Sequence, residues 1–428
     1  MRLLFQSHKL SIYSHSLCCQ KKVTRRHIDL WFHCYGQQSN YYVCRRDWKP
    51  TCSLVAISSS HVTQIPLVKR LENYLSQARV PNHDQLTFIQ RAHRYYQQGE
   101  IPSNCEQVLV EWYHSYLQAV CSAGMKMDPN LFTETMFQVL LELVRRCCQH
   151  RYPFEPFHQS IREPFDYLEF GLDFARPIVH VAKSIILGTE YIIGSIPQQL
   201  ERGENVVFFS NHQSEGDPHA IHVLLEEKLG QGKLAEKIIF MAGDRVRDDP
   251  VAMPFSMGRN LLTVYSKRHI NDFPETKADK LTHNRKTIAK MQQLLEQGGN
   301  MIWFAPSGGR DRRDSHSGLV KVADFVPESL ELMRFVASQV KTVVHFYPMA
   351  LRTWDLLPPP DHIQVALGEK RYVRYVPIGL AIGEPIQWPW MKQEPPNGVG
   401  KEQIRQERAS HLHHKVKELY EKLGGLEQ

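Results

Sequence analysis

The chain has 428 residues, of which 42% are hydrophobic and 23% charged, enough apolar material for a globular protein with one large domain and a smaller one. Its formal charge of +7 is lopsided: residues 1–70 hold eleven Lys or Arg against two acids, which leaves 41 bases and 43 acids elsewhere. A broad nucleic-acid-binding surface is thereby excluded for the body of the protein, where any cationic site must be local. No apolar run is long and unbroken enough to span a bilayer, since Ile178 to Ile196 is interrupted by Lys183 and Glu190, and contact with a membrane is expected to be peripheral at most. Nine cysteines without a Cys-x-x-Cys spacing or a regular framework predict reduced thiols and no zinc.

Residues 1–60 form a basic leader, with pairs at Lys21-Lys22, Arg25-Arg26 and Arg45-Arg46 and a closing run Ser58-Ser59-Ser60. It suits a targeting segment or a translation start assigned too far upstream, and is set apart from the fold. From 61 to 150 the rhythm is helical: Leu67, Leu71, Tyr74 and Leu75, then Phe132, Met136, Leu140, Leu143 and Val144, recur at three- and four-residue steps. This stretch is expected to be a small helical bundle.

From 151 to 428 short apolar runs alternate with amphipathic segments, which predicts an α/β domain with its ligand site at the strand ends. Strands are expected at Val206–Phe209, Ile238–Met241, Leu261–Tyr265, Met301–Phe304, Val343–Phe346 and Ile363–Leu367, and helices at Pro218–Leu229 and Lys280–Glu296, the second stopped by Gly298-Gly299. The tail Lys401–Leu423 reads as one charged helix whose His411, His413 and His414 form a solvated face.

Two constellations carry chemistry. The first strand feeds into Ser210-Asn211-His212-Gln213-Ser214-Glu215-Gly216-Asp217-Pro218. Pro suits the first helical position and Asp the N-cap. A loop that bends back sets the Asp217 carboxylate against one imidazole nitrogen of His212, so that the other nitrogen can remove a proton. Taken alone, the pair reads as readily as a cap beside a structural histidine. No serine or cysteine sits in a Gly-x-Ser-x-Gly elbow, so a catalytic His212 would activate the substrate's own hydroxyl, with backbone N–H groups near the Pro218 helix start as oxyanion donors.

The second constellation follows Met301–Phe304: Ala305-Pro306-Ser307-Gly308-Gly309-Arg310-Asp311-Arg312-Arg313. Arg310 and Arg312 on a glycine-rich turn suit a phosphate, which a guanidinium grips through paired donors. An isolated run of this kind reads rather as Arg310, Arg312 and Arg313 paired with Asp311 and Asp314 on a solvated loop. Lys267-Arg268-His269 follows the third strand at the same predicted sheet edge, and that convergence favours a small anionic substrate.

Together Asn211 to Pro218, Ala242-Gly243-Asp244-Arg245, Phe255 to Leu261, Val264 to His269 and Ala305 to Arg312 closely resemble the soluble, plastid and chlamydial-type glycerol-3-phosphate 1-O-acyltransferases, as do Ile161 to Tyr167 and Gly368-Glu369-Lys370-Arg371. The resemblance implies a small helical bundle before a larger α/β acyltransferase domain, in a bacterial cytoplasm or a plastid stroma. It implies transfer of a fatty-acyl group from acyl-carrier protein or acyl-coenzyme A to the sn-1 hydroxyl of glycerol 3-phosphate. The family's His-x4-Asp pair falls on His212 and Asp217, and its phosphate-binding groups on Arg268, His269, Arg310 and Arg312. Arg268 stands where the family usually has lysine. No metal, cofactor or nucleic acid is expected. Competing readings are a lysophosphatidate acyltransferase, a non-enzymatic nucleic-acid-binding protein and a catalytically dead phosphate-binding relative.

Overall fold

The computed structural model describes residues 66–266, 270, 274–360, 368–388 and 400–425. The basic leader, Arg268, His269 and the expected strand Ile363–Leu367 lie outside the described residues.

Residues 67–149 fold into four helices, α1 (Leu67–Gln77), α2 (Phe88–Gln97), α3 (Ser103–Ala123) and α4 (Pro129–Gln149). Two of them start on side-chain caps: Thr87 and Gln90 close a capping box, and the Asp128 carboxylate accepts from the Asn130 N–H just before Pro129; α1 and α3 follow Pro66 and Pro102 instead. The repeating apolar residues face inward, with Leu71, Phe88, Tyr116, Phe132 and Leu140 all buried.

The rest alternates as β1 (Phe157–His158), α5 (Tyr167–Ala175), β2 (Ile185–Leu187), α6 (Ile196–Glu201), β3 (Asn205–Ser210), α7 (Asp217–Leu229), α8 (Gly232–Glu236), β4 (Ile238–Ala242), α9 (Arg245–Asp248), α10 (Met253–Met257), β5 (Asn260–Thr263), α11 (Lys277–Gln297), β6 (Met301–Phe304), β7 (Arg312–Arg313), β8 (Val320–Lys321), α12 (Pro327–Ser338), β9 (Val344–Arg352), β10 (Gly379–Ile382) and α13 (Lys401–Lys422). Eight strands make one sheet in the order β1-β5-β4-β6-β3-β9-β10-β2, and β7 with β8 forms a separate hairpin. The five central strands, β5 to β9 in that order, run parallel, while β1 and β10 pair antiparallel to their inner neighbours.

Alternation along the buried strands divides the molecule into layers. Val206 and Phe208 of β3, Phe240 of β4 and Trp303 of β6 belong to the same core as the helices α1 to α5 and α7. Val207, Phe209, Ile239 and Ile302 point the other way, into a core with Met291 and Leu295 of α11, Met333 of α12 and Leu412 of α13. The helices 67–149 thus share one core with a face of the sheet.

Several elements run differently from the sequence expectation. The strand expected at Val343–Phe346 continues to Arg352 through Pro348, whose carbonyl accepts from the Gly383 N–H at 3.0 Å. The strand expected to reach Tyr265 ends at Thr263. Gly298 does close α11, with φ 74°, where a Cβ would stand 2.1 Å from the Gly203 carbonyl oxygen. His413 is not on a solvated face: its Nε2 donates to the Val322 carbonyl at 3.2 Å and its ring meets Phe325 edge-on. Among the described residues, no helix is long and apolar enough to cross a membrane.

Candidate active site

Because the central strands are parallel, the loops that follow β3, β4, β5, β6 and β9 leave from one edge of the sheet. The loop 211–216 after β3 lies in the middle of that edge, and it folds back on itself. His212 Nδ1 lies 2.8 Å from Asp217 Oδ2. Facing an oxygen that can only accept, that nitrogen carries the hydrogen and leaves Nε2 as the acceptor. Asp217 is fully buried, whereas the His212 side chain is 24% exposed, so the acceptor nitrogen has access from outside.

The helix α7 begins one residue earlier than expected, with Gly216 in the capping position and Asp217 inside the first turn. The reason lies in what the carboxylate accepts. It turns back to the loop and takes the Gln213 N–H at 2.8 Å, the Ser214 N–H at 3.2 Å and the Thr353 hydroxyl at 2.5 Å, in addition to His212. The N–H groups of this helix start are also engaged: Asp217 N donates to Ser214 O, Gly216 N to Ser214 Oγ, and His219 N and Ala220 N to Gly216 O. The expected oxyanion donors near Pro218 therefore already have partners.

Two flanking amides anchor the loop. Asn211 Nδ2 donates to Asp311 Oδ2 and to Leu351 O, while its Oδ1 accepts the Leu351 N–H. Gln213 Nε2 donates to Asp311 Oδ2, and its Oε1 accepts the N–H groups of Thr353 and Trp354. Asp311 completes the frame by accepting from Ala323 N with Oδ1 and donating its own N–H to His212 O. Burial pushes the Asp311 carboxyl up to about 6, against the lowering effect of these donors. His212 is thereby suspended between β9 and the loop after β6, and its ring meets the edge of Trp303.

The cationic residues do not form the solvated pairs that an isolated run would suggest. Asp311 is turned inward, and Asp314 instead holds Lys321 and the Ser317 N–H. Arg313 lies over the Trp354 ring at 4.1 Å and donates to Gly318 O. Arg312 stands in β7 opposite Lys321. Arg310 donates to Glu369 Oε2, and Arg245 reaches the other oxygen of the same carboxylate at 2.6 Å. Two guanidiniums from the loops after β4 and β6 thus converge on Glu369. Of the six expected site residues, the structure joins His212 to Asp217 and places Arg310 and Arg312 on the neighbouring loop and hairpin, the first on Glu369 and the second opposite Lys321; Arg268 and His269 are outside the described residues.

Two residues further on, Arg371 is 3% exposed and pairs with Glu215 of the His212 loop and with Asp249 at 3.0 Å. Burial would lower its pKa, but these two carboxylates raise it instead. An apolar cavity of about 90 Å³ opens beside Glu215 and Gly216, walled by Trp112, Phe174, Phe255, Leu356, Leu357 and Val373.

The loop thus holds a histidine against a buried carboxylate, with Arg310 on the neighbouring loop and an apolar cavity beside it. Residues 192–352 match the family model described as Acyltransferase. The match covers the loop, Asp311 and β9. The chain is also 39% identical over 270 residues to the chloroplastic glycerol-3-phosphate acyltransferase of Spinacia oleracea, covering 63% of this chain and 56% of that protein. It is 41% identical over 237 residues to the chloroplastic glycerol-3-phosphate acyltransferase of Arabidopsis thaliana, covering 55% and 51%. For the chloroplastic glycerol-3-phosphate acyltransferase ATS11 of Cucurbita moschata the figures are 39% over 250 residues, 58% and 55%. The chain spans about half the length of the curated relatives it matches.

Sequence reasoning expected the contact between His212 and Asp217, which the structure shows at 2.8 Å, but not its supports. Asn211, Gln213, Thr353, Glu369 and Arg371 carry no role in the sequence reading, and Asp311 figures there only as a partner of the neighbouring arginines. Asn211 and Gln213 flank His212 and could have been read as its anchors. Thr353 lies 136 residues from Asp217, and no local pattern marks it.

Proposed function

We propose that this protein transfers a fatty-acyl group from acyl-carrier protein or acyl-coenzyme A to the sn-1 hydroxyl of glycerol 3-phosphate, giving 1-acyl-glycerol 3-phosphate. The observation that carries this reading is the 2.8 Å contact between His212 Nδ1 and Asp217 Oδ2 on a loop anchored to β9 and Asp311. His212 Nε2 takes the proton of the acceptor hydroxyl as its oxygen attacks the thioester carbonyl. A C–O bond forms, the C–S bond breaks, and the proton passes from His212 to the departing thiolate. Buried Asp217 keeps the ring in the required tautomer and stabilises the imidazolium between the two transfers. The reaction needs no metal and no acyl-enzyme.

The cationic edge and the names of the relatives support this acceptor. Arg310 and Arg312, together with Arg268 and His269, grip the phosphate and present the hydroxyl at short range, which is an orientation effect. Glu369 holds Arg310 in position for this. The apolar cavity beside Gly216 receives part of the acyl chain. The chloroplast stroma is the proposed compartment, since the relatives are named chloroplastic.

Purified protein supplied with glycerol 3-phosphate and a labelled acyl thioester should form the 1-acyl product. His212→Ala should lower transfer by about 10²–10⁴-fold, the range of a lost general base, with an unchanged circular-dichroism spectrum. Undiminished transfer by that variant would overturn the mechanism.

A further inference from the structure

The cavity beside the His212 loop has a feature that the transfer chemistry does not use. One wall is Gly171 of α5, where a Cβ would stand 2.5 Å from His219 Nε2 and 3.6 Å from Phe255 Cδ1. A side chain there would meet the His219 ring itself, which would have to move. His219 is 8% exposed, and its Nε2 has no hydrogen-bond partner among the described residues. The same holds for Trp112 Nε1, on another wall of the cavity. Both rings lie against Phe255, each with its centroid 5.8 Å away. Burial, with Arg259 and His222 nearby, holds the His219 pKa well below its ordinary value, so the ring is neutral.

An otherwise apolar cavity with unpaired nitrogens in its wall discriminates between chains in two ways. Its depth limits length, because overpacking a closely packed site is costly. Its polar atoms penalise a purely methylene occupant, which covers them without offering a partner.

Resting on the acyl-transfer reading, we propose that Gly171 and His219 determine which acyl chains this cavity accepts, Gly171 by leaving the His219 ring its place in the wall and His219 by setting a polar limit to that apolar wall. Gly171→Ala sets a methyl against the His219 ring and displaces it from its place in the cavity wall. His219→Leu keeps a similar volume and removes the unpaired nitrogen. The two changes act in opposite directions on a long saturated chain.

The test uses non-hydrolysable thioether analogues of acyl-coenzyme A with short, medium and long saturated chains, titrated calorimetrically into the full chain, alongside transfer assays with the matching thioesters. Gly171→Ala should weaken binding of the long chain by about tenfold relative to the short one, an effect of about 1.4 kcal/mol. His219→Leu should tighten the long chain by several-fold. Val246→Phe, in the short helix α9, narrows the cavity from its partly exposed side and should act like Gly171→Ala without displacing the His219 ring. Chain-length profiles that stay at wild type in all three variants, or that fall equally at every length, would overturn the proposal. Length-graded binding by a wild-type protein that transfers nothing to glycerol 3-phosphate would overturn the reaction reading alone. Intact transfer with unchanged profiles in the variants would overturn the chain-selection reading alone.

Discussion

Asp217 accepts four hydrogen bonds with two oxygens, and an amide in its place can accept with only one. Asp217→Asn would therefore turn an NH₂ group toward at least one donor. The variant should lose about 10²–10⁴-fold in kcat through a misoriented His212, together with about 1–3 kcal/mol of stability from donors left without acceptors. Steady-state kinetics and urea unfolding would measure the two separately. Thr353→Val removes one donor and leaves the imidazole contact. It should lower kcat by about tenfold, or about 1.4 kcal/mol, with an unchanged KM for the acceptor. A kcat equal to wild type would show that the Thr353 hydroxyl does not help to position the pair.

At the scale of elements, the loop after β6 is where the sequence reading and the structure diverge most. Asp311 stands between two arginines in sequence, and charge alternation suggests that it answers them. In the fold it faces the opposite way, into Asn211 and Gln213. Its carboxyl at about 6 means that the folded chain binds this proton more tightly than the unfolded one. The resulting stability is fully present below about pH 4 and is lost as the pH rises through about 6, amounting to about 3 kcal/mol for two pKa units. Urea midpoints of wild type and Asp311→Asn, compared across this window, should differ in slope. Parallel curves would refute the assignment.

The central strands were legible because they are continuous apolar runs buried on both faces, as a parallel sheet requires. The outer strands were not: β1 has two residues, and β10 is the four-residue run Gly379–Ile382. Proline normally argues against a central strand, which hid the second half of β9. The His212–Asp217 pair could be read from six adjacent positions and the Pro that follows. Its supports come from Asp311 and Thr353, which only the sheet topology brings near.

At the scale of the molecule, the four N-terminal helices cover one face of the sheet and reach the site. Val373 N donates to Ser115 Oγ of α3 at 3.3 Å, and the Arg371 guanidinium, paired with Glu215, lies over the Trp112 ring of the same helix at 5.6 Å. Arg70 of α1 pairs with buried Asp173 of α5 at 2.7 Å. The apolar surface of residues 67–149 and that of the sheet are the two halves of one core, so neither half satisfies itself. Severing the chain between Gln149 and Phe154 should give two polypeptides that are insoluble apart and that find each other when co-expressed. The reassembled pair should recover transfer and melt in a single transition. A C-terminal piece that is stable and active alone would contradict this. The interface that evolution normally supplies between subunits is here internal to one chain, and a pair of genes could encode it as well as one.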